Sequence, residues 1–179
     1  MSKTRNEKLA ALGRIVTVAA ASFMLAAVVP TLALSDDVIT GCFQKCQTGG
    51  CGGDLSCRTA ANGKCKLNGD ITCTSTSSLI PAVQLIDGTD LDLAGNDITC
   101  TAAQCNYPVV TMYNTGSKVM NSGGSAVISG PFTWGVNCGS YSGSVVENVT
   151  FSSAAAIGVS NCQTVRHNVF DGSGAARGA

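Results

Sequence analysis

The side chains best suited to acid–base chemistry lie in two short segments near the C-terminal end of the sequence. His167 is the single histidine of the chain and follows Arg166, while Glu147 lies about twenty residues earlier. A general base needs a shifted pKa and a partner within hydrogen-bond distance, and Glu147 is the carboxylate we expect beside this pair. Exposed Arg–Glu pairs are common and contribute under about 1 kcal/mol. We therefore interpret Glu147, Arg166 and His167 as surface residues, with catalysis as the alternative.

Four aspartates between residues 87 and 97 form the second group with chemical potential: Asp87, Asp90, Asp92 and Asp97. Calcium prefers several carboxylate and carbonyl oxygens on a flexible frame. However, the leucines of the segment 90–93 are expected to point inward, which turns the alternating aspartates outward into solvent. No Asp-x-Asp-x-Asp-Gly loop is present. We predict surface carboxylates and no cofactor, with calcium at Asp87, Asp90 and Asp92 as the alternative.

Aromatic side chains offer a third kind of site. Trp134 and Tyr141, with Phe132 and Tyr113 nearby, are candidates for stacking on sugar rings, and core packing is the alternative. Asn148-Val-Thr150 is a glycosylation sequon. The sequence has no Gly-x-Ser-x-Gly elbow, no phosphate loop and no dinucleotide fingerprint.

The N-terminal segment has the layout of a secretory signal. A basic region, 1–14, precedes the almost wholly apolar region 15–34, and small residues stand at Ala33 and Ser35. This layout predicts a signal peptide over residues 1–35 and a secreted or periplasmic protein, with a retained membrane anchor as the alternative. Seven basic and ten acidic residues follow residue 35 without a basic stripe, so we expect neither nucleic-acid binding nor, after cleavage, membrane association.

All cysteines of the chain follow that signal and are even in number, which predicts disulfides in an oxidising compartment. Six of them crowd into residues 42–73, where large apolar residues are few, and the sequence leaves their fifteen connectivities open. Irregular spacings without a C-x-x-C pair argue against zinc and redox chemistry. We expect Cys100 to pair with Cys105. The ten cysteines are Cys42, Cys46, Cys51, Cys57, Cys65, Cys73, Cys100, Cys105, Cys138 and Cys162.

From about residue 79 onward, apolar runs of three to seven residues alternate with turn-forming residues and show no helical periodicity. The segment 144–151 recurs as 163–170, with Asn148 and Asn168 20 residues apart, and an Asn-Cys pair recurs after 24 residues. Such spacings are about one coil of a parallel β-helix, whereas a β-sandwich predicts no such register. The repeats predict stacked asparagines at a tight turn and a disulfide between adjacent coils, Cys138–Cys162.

Several segments resemble right-handed parallel β-helix repeat proteins of the pectate-lyase-like superfamily. Residues 89–98 are similar to the LDLNGxxI segment of those proteins, and residues 65–73 to the strand that leads into it. The resemblance covers about residues 64–172. It implies an all-β fold, a short right-handed parallel β-helix of about four or five coils behind a disulfide-rich N-terminal segment. Enzymes of the superfamily commonly use calcium and a strand-borne Arg or His.

We therefore expect a signal peptide over 1–35, a Cys-rich segment over 36–73, a β-helix over 74–172 and a flexible tail over 173–179. The expected function is a non-catalytic exported module that binds polysaccharide or surface glycan, or is structural. The alternative is a polysaccharide lyase, truncated if the chain is a fragment. A tail without a capping element predicts an open last coil, through which the protein can form an oligomer.

Overall fold

The computed structural model describes residues 37–74, 80–101, 108–152 and 157–172, all within one compact unit, Ala33–Ala179. These residues form short strands and no helix, in agreement with the predicted all-β class. The strands are β1 Val38–Ile39, β2 Gln44–Gln47, β3 Cys57–Thr59, β4 Lys64–Leu67, β5 Ile71–Cys73, β6 Val83–Leu85, β7 Asp90–Asp92, β8 Ile98–Cys100, β9 Val110–Met112, β10 Lys118–Met120, β11 Val127–Ser129, β12 Trp134–Asn137, β13 Val145–Glu147, β14 Thr150–Ser152, β15 Ile157–Ser160, β16 Thr164–Arg166 and β17 Val169–Asp171.

The strands build three sheets of parallel strands. Sheet A has the order β1-β4-β7-β10-β13-β16, sheet B the order β15-β12-β9-β6-β2-β3, and sheet C the order β17-β14-β11-β8-β5. From β4 onward the chain visits sheets A, C and B in rotation, and we call each such passage a coil. From β7 to β14, each strand therefore pairs in parallel with the strand three places before it and the strand three places after it, which is the arrangement that a β-solenoid requires.

The length of a coil decreases toward the C-terminal end. Along sheet A, from β4 to β16, the paired residues are 26, 28, 27 and 19 positions apart. The strands themselves keep three or four residues, so the change is in the connections. Six residues connect β10 to β11, whereas two connect β13 to β14 and two connect β16 to β17.

The core consists of apolar side chains stacked from coil to coil. In sheet A, Leu91, Val119 and Val146 lie at paired positions and are each fully buried. Phe151 and Phe170, paired in sheet C, stack with ring centroids 5.3 Å apart. Each such side chain contributes about 1.5–3 kcal/mol by leaving water. The inner stack explains why three-residue strands suffice here.

The register changes one detail of the predicted repeat. Glu147 pairs with Arg166 and Thr150 with Val169, so Asn148 stacks with His167 and not with Asn168. The offset is 19 residues, one fewer than the spacing of the two asparagines. Asn148 and His167 both have positive φ, 60° and 55°, because the two-residue turn requires a left-handed residue at its first position.

Four disulfides tie neighbouring segments together: Cys42–Cys73, Cys46–Cys65, Cys51–Cys57 and Cys138–Cys162. The predicted bond between adjacent coils, Cys138–Cys162, is confirmed, with its Cα atoms 4.8 Å apart. The six cysteines of 42–73 pair among themselves, and that choice of pairs was not predictable. Cys100 is also disulfide-bonded, whereas Cys105 lies outside the described residues. These bonds are compatible with the predicted oxidising compartment.

The two ends of the sheets differ. The Cys-rich segment contributes β1 to β5, which pair into the same three sheets as the later coils. At the other end, β15, β16 and β17 are the last strands of their sheets among the described residues, and Val169 is 57% exposed. The predicted signal peptide and the predicted tail lie outside the described residues, which contain no helix long and apolar enough to cross a membrane.

Candidate functional site

Two of the three residues predicted for acid–base chemistry, Glu147 and Arg166, come together on the outer face of sheet A. Glu147 Oε2 accepts a hydrogen bond from Arg166 Nε at 2.6 Å, and Glu147 Oε1 lies 3.2 Å from Lys118 Nζ. The Glu147 side chain is only 10% exposed between these two cations. The bond from Arg166, together with Lys118, lowers the pKa of Glu147 despite its burial. An ionised Glu147 thus neutralises its basic neighbours, which is the predicted ion pair.

His167 is not part of that ion-pair chain. It lies in the turn between β16 and β17 and is exposed. Its neighbours in the groove described below are amide, hydroxyl and small side chains. The sequence therefore placed Arg166 beside Glu147 correctly, and the structure adds that His167 lines a different surface.

The three aspartates considered for calcium have three different environments. Asp87 is exposed in a turn and has a positive φ of 60°. Asp90 lies at the start of β7, where burial raises its pKa against the effect of the Lys118 backbone N–H. Asp92 is only 4% exposed, so the expectation that it points into solvent was wrong. Among the described residues, no group of three or more His, Cys, Asp or Glu side chains is placed to hold a metal ion.

Asp92 organises the long connection of the next coil. Its Oδ1 accepts hydrogen bonds from the backbone N–H groups of Ala94 and Ser122, both at 3.0 Å, and its Oδ2 accepts one from Ser122 Oγ at 2.6 Å. Burial acts to raise the pKa of Asp92, but these three donors outweigh it, and the pKa is lowered. The carboxylate is therefore a cap for the connection 121–126.

Replacing Asp92 by alanine should lower the free energy of unfolding by about 1–3 kcal/mol, because two backbone N–H groups lose their acceptor. The folded-state pKa lies below the ordinary value of 3.8, so this stabilisation is present above about pH 4 and is lost as the pH falls through the lowered pKa. Chemical denaturation of the wild type and Asp92→Ala at pH 7 and pH 3 measures it. A difference that persists undiminished at pH 3 would contradict the assignment.

The described part of the chain has a groove of about 410 Å³ at the edge where sheet A turns into sheet C. It lies where the six-residue connection 121–126 is followed by two coils with two-residue turns. The long connection forms a wall, and the short turns form the floor. The lining side chains that are large enough to contact a ligand are Asn121, Ser125, Asn148, Thr150, His167 and Val169.

The wall is held rigidly against the preceding coil. Asn121 Oδ1 accepts a hydrogen bond from Gly95 N–H at 2.8 Å, and Asn121 Nδ2 donates one to the Gly124 carbonyl. Gly123 packs so closely that a Cβ atom there would lie 2.4 Å from the carbonyl carbon of Ala94. At Gly124, by contrast, a Cβ atom would meet nothing within 4 Å. One glycine thus fixes the wall and the next one faces open space.

The floor of the groove offers unused hydrogen-bonding groups. Within the described part of the chain, Asn148, Thr150 and His167 make no side-chain hydrogen bond to protein. No acidic residue, lysine or arginine lines the groove. These groups can exchange hydrogen bonds with hydroxyl groups of a ligand, and Val169 adds some apolar surface.

The predicted aromatic residues do not line this groove. Phe132 is 1% exposed and belongs to the core. Trp134 begins β12, whereas Tyr141 lies four residues beyond the end of that strand and packs against Gly139. Sugar binding by either ring stays a prediction.

Comparisons of the chain with protein-family models, with curated proteins and with solved structures found no match. The three sheets of parallel strands are consistent with the fold implied by the resemblance to β-helix repeat proteins. The groove was not predicted, because it results from a difference in connection length between neighbouring coils. That difference was readable only as the change in repeat spacing from about 27 to 19 residues.

Proposed function

We propose that this protein is an exported right-handed parallel β-helix of the pectate-lyase-like kind that binds an uncharged glycan without catalysis. The observation that carries the proposal is the groove of 121–126 and the two following turns, which has free amide, hydroxyl and imidazole groups and, among its described lining residues, no Asp, Glu, Lys or Arg. Grooves with a few polar groups and some apolar surface are the usual form of small-ligand sites. Parallel crossover connections are right-handed in about 98% of cases, which supports the handedness.

The charge distribution supports a neutral ligand over a uronate polymer. A lyase acting on uronates needs a cation for the substrate carboxylate and a base near it. Arg166 and Lys118 are both engaged by Glu147, and Glu147 is held ionised between them. Neither cation lines the groove, so a uronate carboxylate bound there would have no lysine or arginine among the described lining residues.

Filling the groove should abolish binding without unfolding the protein. In Gly124→Trp the new side chain enters open space at the wall, so affinity for the bound glycan should fall at least about tenfold, a loss of about 1.4 kcal/mol. Gly50→Trp is the matched control, since a Cβ atom there also meets nothing within 4 Å and Gly50 does not line the groove. Titration calorimetry against a panel of neutral and uronate oligosaccharides measures both variants.

The same panel separates binding from catalysis. Unchanged affinity in Gly124→Trp would remove the groove from the proposal, and the absence of binding to any neutral glycan would remove the function. A polysaccharide lyase would instead produce unsaturated uronates, detected by rising ultraviolet absorbance. If that signal required His167 and Arg166, the lyase alternative would replace our proposal.

A further inference from the structure

The sequon Asn148-Val149-Thr150 is the one Asn-x-Ser/Thr triplet of the chain with x other than proline. The structure places Asn148 and Val149 in the two-residue turn between β13 and β14, and Thr150 at the start of β14. Val149 is 1% exposed and anchors the turn in the core, whereas Asn148 is exposed. The acceptor position thus lies at the surface on a short, well-anchored turn.

Asn148 differs from the other turn asparagines near it in having a free amide. Asn168, in the next coil, accepts a hydrogen bond from Val149 N–H and donates one to the Val146 carbonyl, both at 2.9 Å. Asn121 uses its amide within the wall of the groove. Among the described residues nothing bonds the Asn148 side chain, so its Nδ2 atom can carry a substituent without loss of a structural contact.

The surroundings of Asn148 have room for a sugar. Both of the last two coils have two-residue turns, so the space above Asn148 and His167 is open groove. Val169 pairs with Thr150 and is 57% exposed, which offers an apolar patch to the face of the first sugar ring. A positive φ of 60° is a conformation that asparagine tolerates better than most residues.

We infer that Asn148 is the attachment site of an N-linked oligosaccharide. The co-reactant is a polyprenyl-diphosphate-linked oligosaccharide. Asn148 Nδ2 forms a bond to the anomeric carbon of the first sugar, and the bond from that carbon to the diphosphate oxygen breaks. The diphosphate leaves with the electron pair, and the amide nitrogen loses one proton to a base of the transferase. This inference rests on the sequon and its exposure and not on the proposed binding function, which the attached glycan would weaken because it shares the groove.

The test is cell-free translation of the full chain with microsomal membranes, scoring the chains that become protected from protease. If the chain's own N-terminal segment does not direct translocation into the microsomes, a known cleavable signal peptide is fused before residue 36. The wild type should gain mass, and an amidase specific for N-linked glycans should remove the gain. Asn148→Asp keeps the shape and the tolerance of positive φ, and Thr150→Val keeps the volume, yet each should abolish the shift.

Thr150→Ser is the matched control, because it preserves the sequon and should retain the full mass gain. A protease-protected wild-type chain of unmodified mass would overturn the inference, and so would a shift that survives in Asn148→Asp. A glycan at Asn148 occupies the mouth of the groove. Wild-type protein made in a host without the transferase should therefore bind free glycan at least about tenfold better than the modified form. The mass shift does not depend on that binding, so the two proposals fail separately.

Discussion

Simultaneous replacement of Cys46 and Cys65 by alanine is expected to lower the free energy of unfolding by about 2–5 kcal/mol. Both cysteines are fully buried, and their disulfide joins β2 of sheet B to β4 of sheet A. The bond closes a loop of 19 residues, which restricts the unfolded chain. Removing it also leaves a small void in the core among Leu85 and Leu91, their partners in register.

The pair Cys51 and Cys57 provides the comparison for that experiment. Its bond spans six residues and closes a glycine-rich loop at the edge strand β3. A shorter loop loses less entropy on cross-linking, so the double alanine variant at 51 and 57 should be destabilised by about 1 kcal/mol less than the variant at 46 and 65. Denaturant titration under non-reducing conditions measures both. A larger effect at 51 and 57 would show that the edge loop, and not the buried bond, secures the N-terminal coil.

Phe151→Ala should lower the free energy of unfolding by about 3–5 kcal/mol, the range for deletion of a buried aromatic ring. Phe151 is 3% exposed and stacks on Phe170 with an angle of 9° between the ring planes. Opposite the ring, Gly135 leaves room for it, since a Cβ atom at Gly135 would lie 2.7 Å from Phe151 Cδ1.

Phe170→Ala is the control for the stacking contribution. Phe170 is only half-buried in the last coil, so Phe170→Ala should lower the free energy of unfolding by less than Phe151→Ala does. A double-mutant cycle between the two rings should give a coupling energy of about 0.5–1.5 kcal/mol. Thermal and denaturant unfolding of the two single variants and the double variant supply the cycle. Equal destabilisation by both single variants would mean that the last coil is as well packed as the one before it.

The sequence predicted those parts of the fold that repeat. The recurring Asn-Cys pair located Cys138–Cys162, and the alternation of short apolar runs predicted strands and no helices. The two repeated segments, 144–151 and 163–170, each proved to contain two strands separated by a sharp turn. Hydrophobic alternation does not reveal such a turn, because Val149 remains buried through it.

Other features depended on contacts between coils, which single-residue patterns do not record. Asp92 is in register with the outward-facing Lys66 and Met120, and it is buried because Ser122, in the connection of the next coil, donates hydrogen bonds to it. The offset of 19 between Asn148 and His167 was missed because identical residues were matched, whereas the turn selects for positive φ. The groove depends on two neighbouring connections of unequal length, and sequence patterns within one coil contain no information about it.

The disulfides join cysteines that are close in the sequence, which has a consequence for the order in which the protein can fold. The four bonds for which both cysteines are described span 31, 19, 6 and 24 residues, and from β4 onward each strand pairs with neighbours one coil away. None of these four bonds has to wait for a distant part of the chain. The N-terminal coils can therefore oxidise and become a template before the later coils have formed, so that coils can be added in order along the chain.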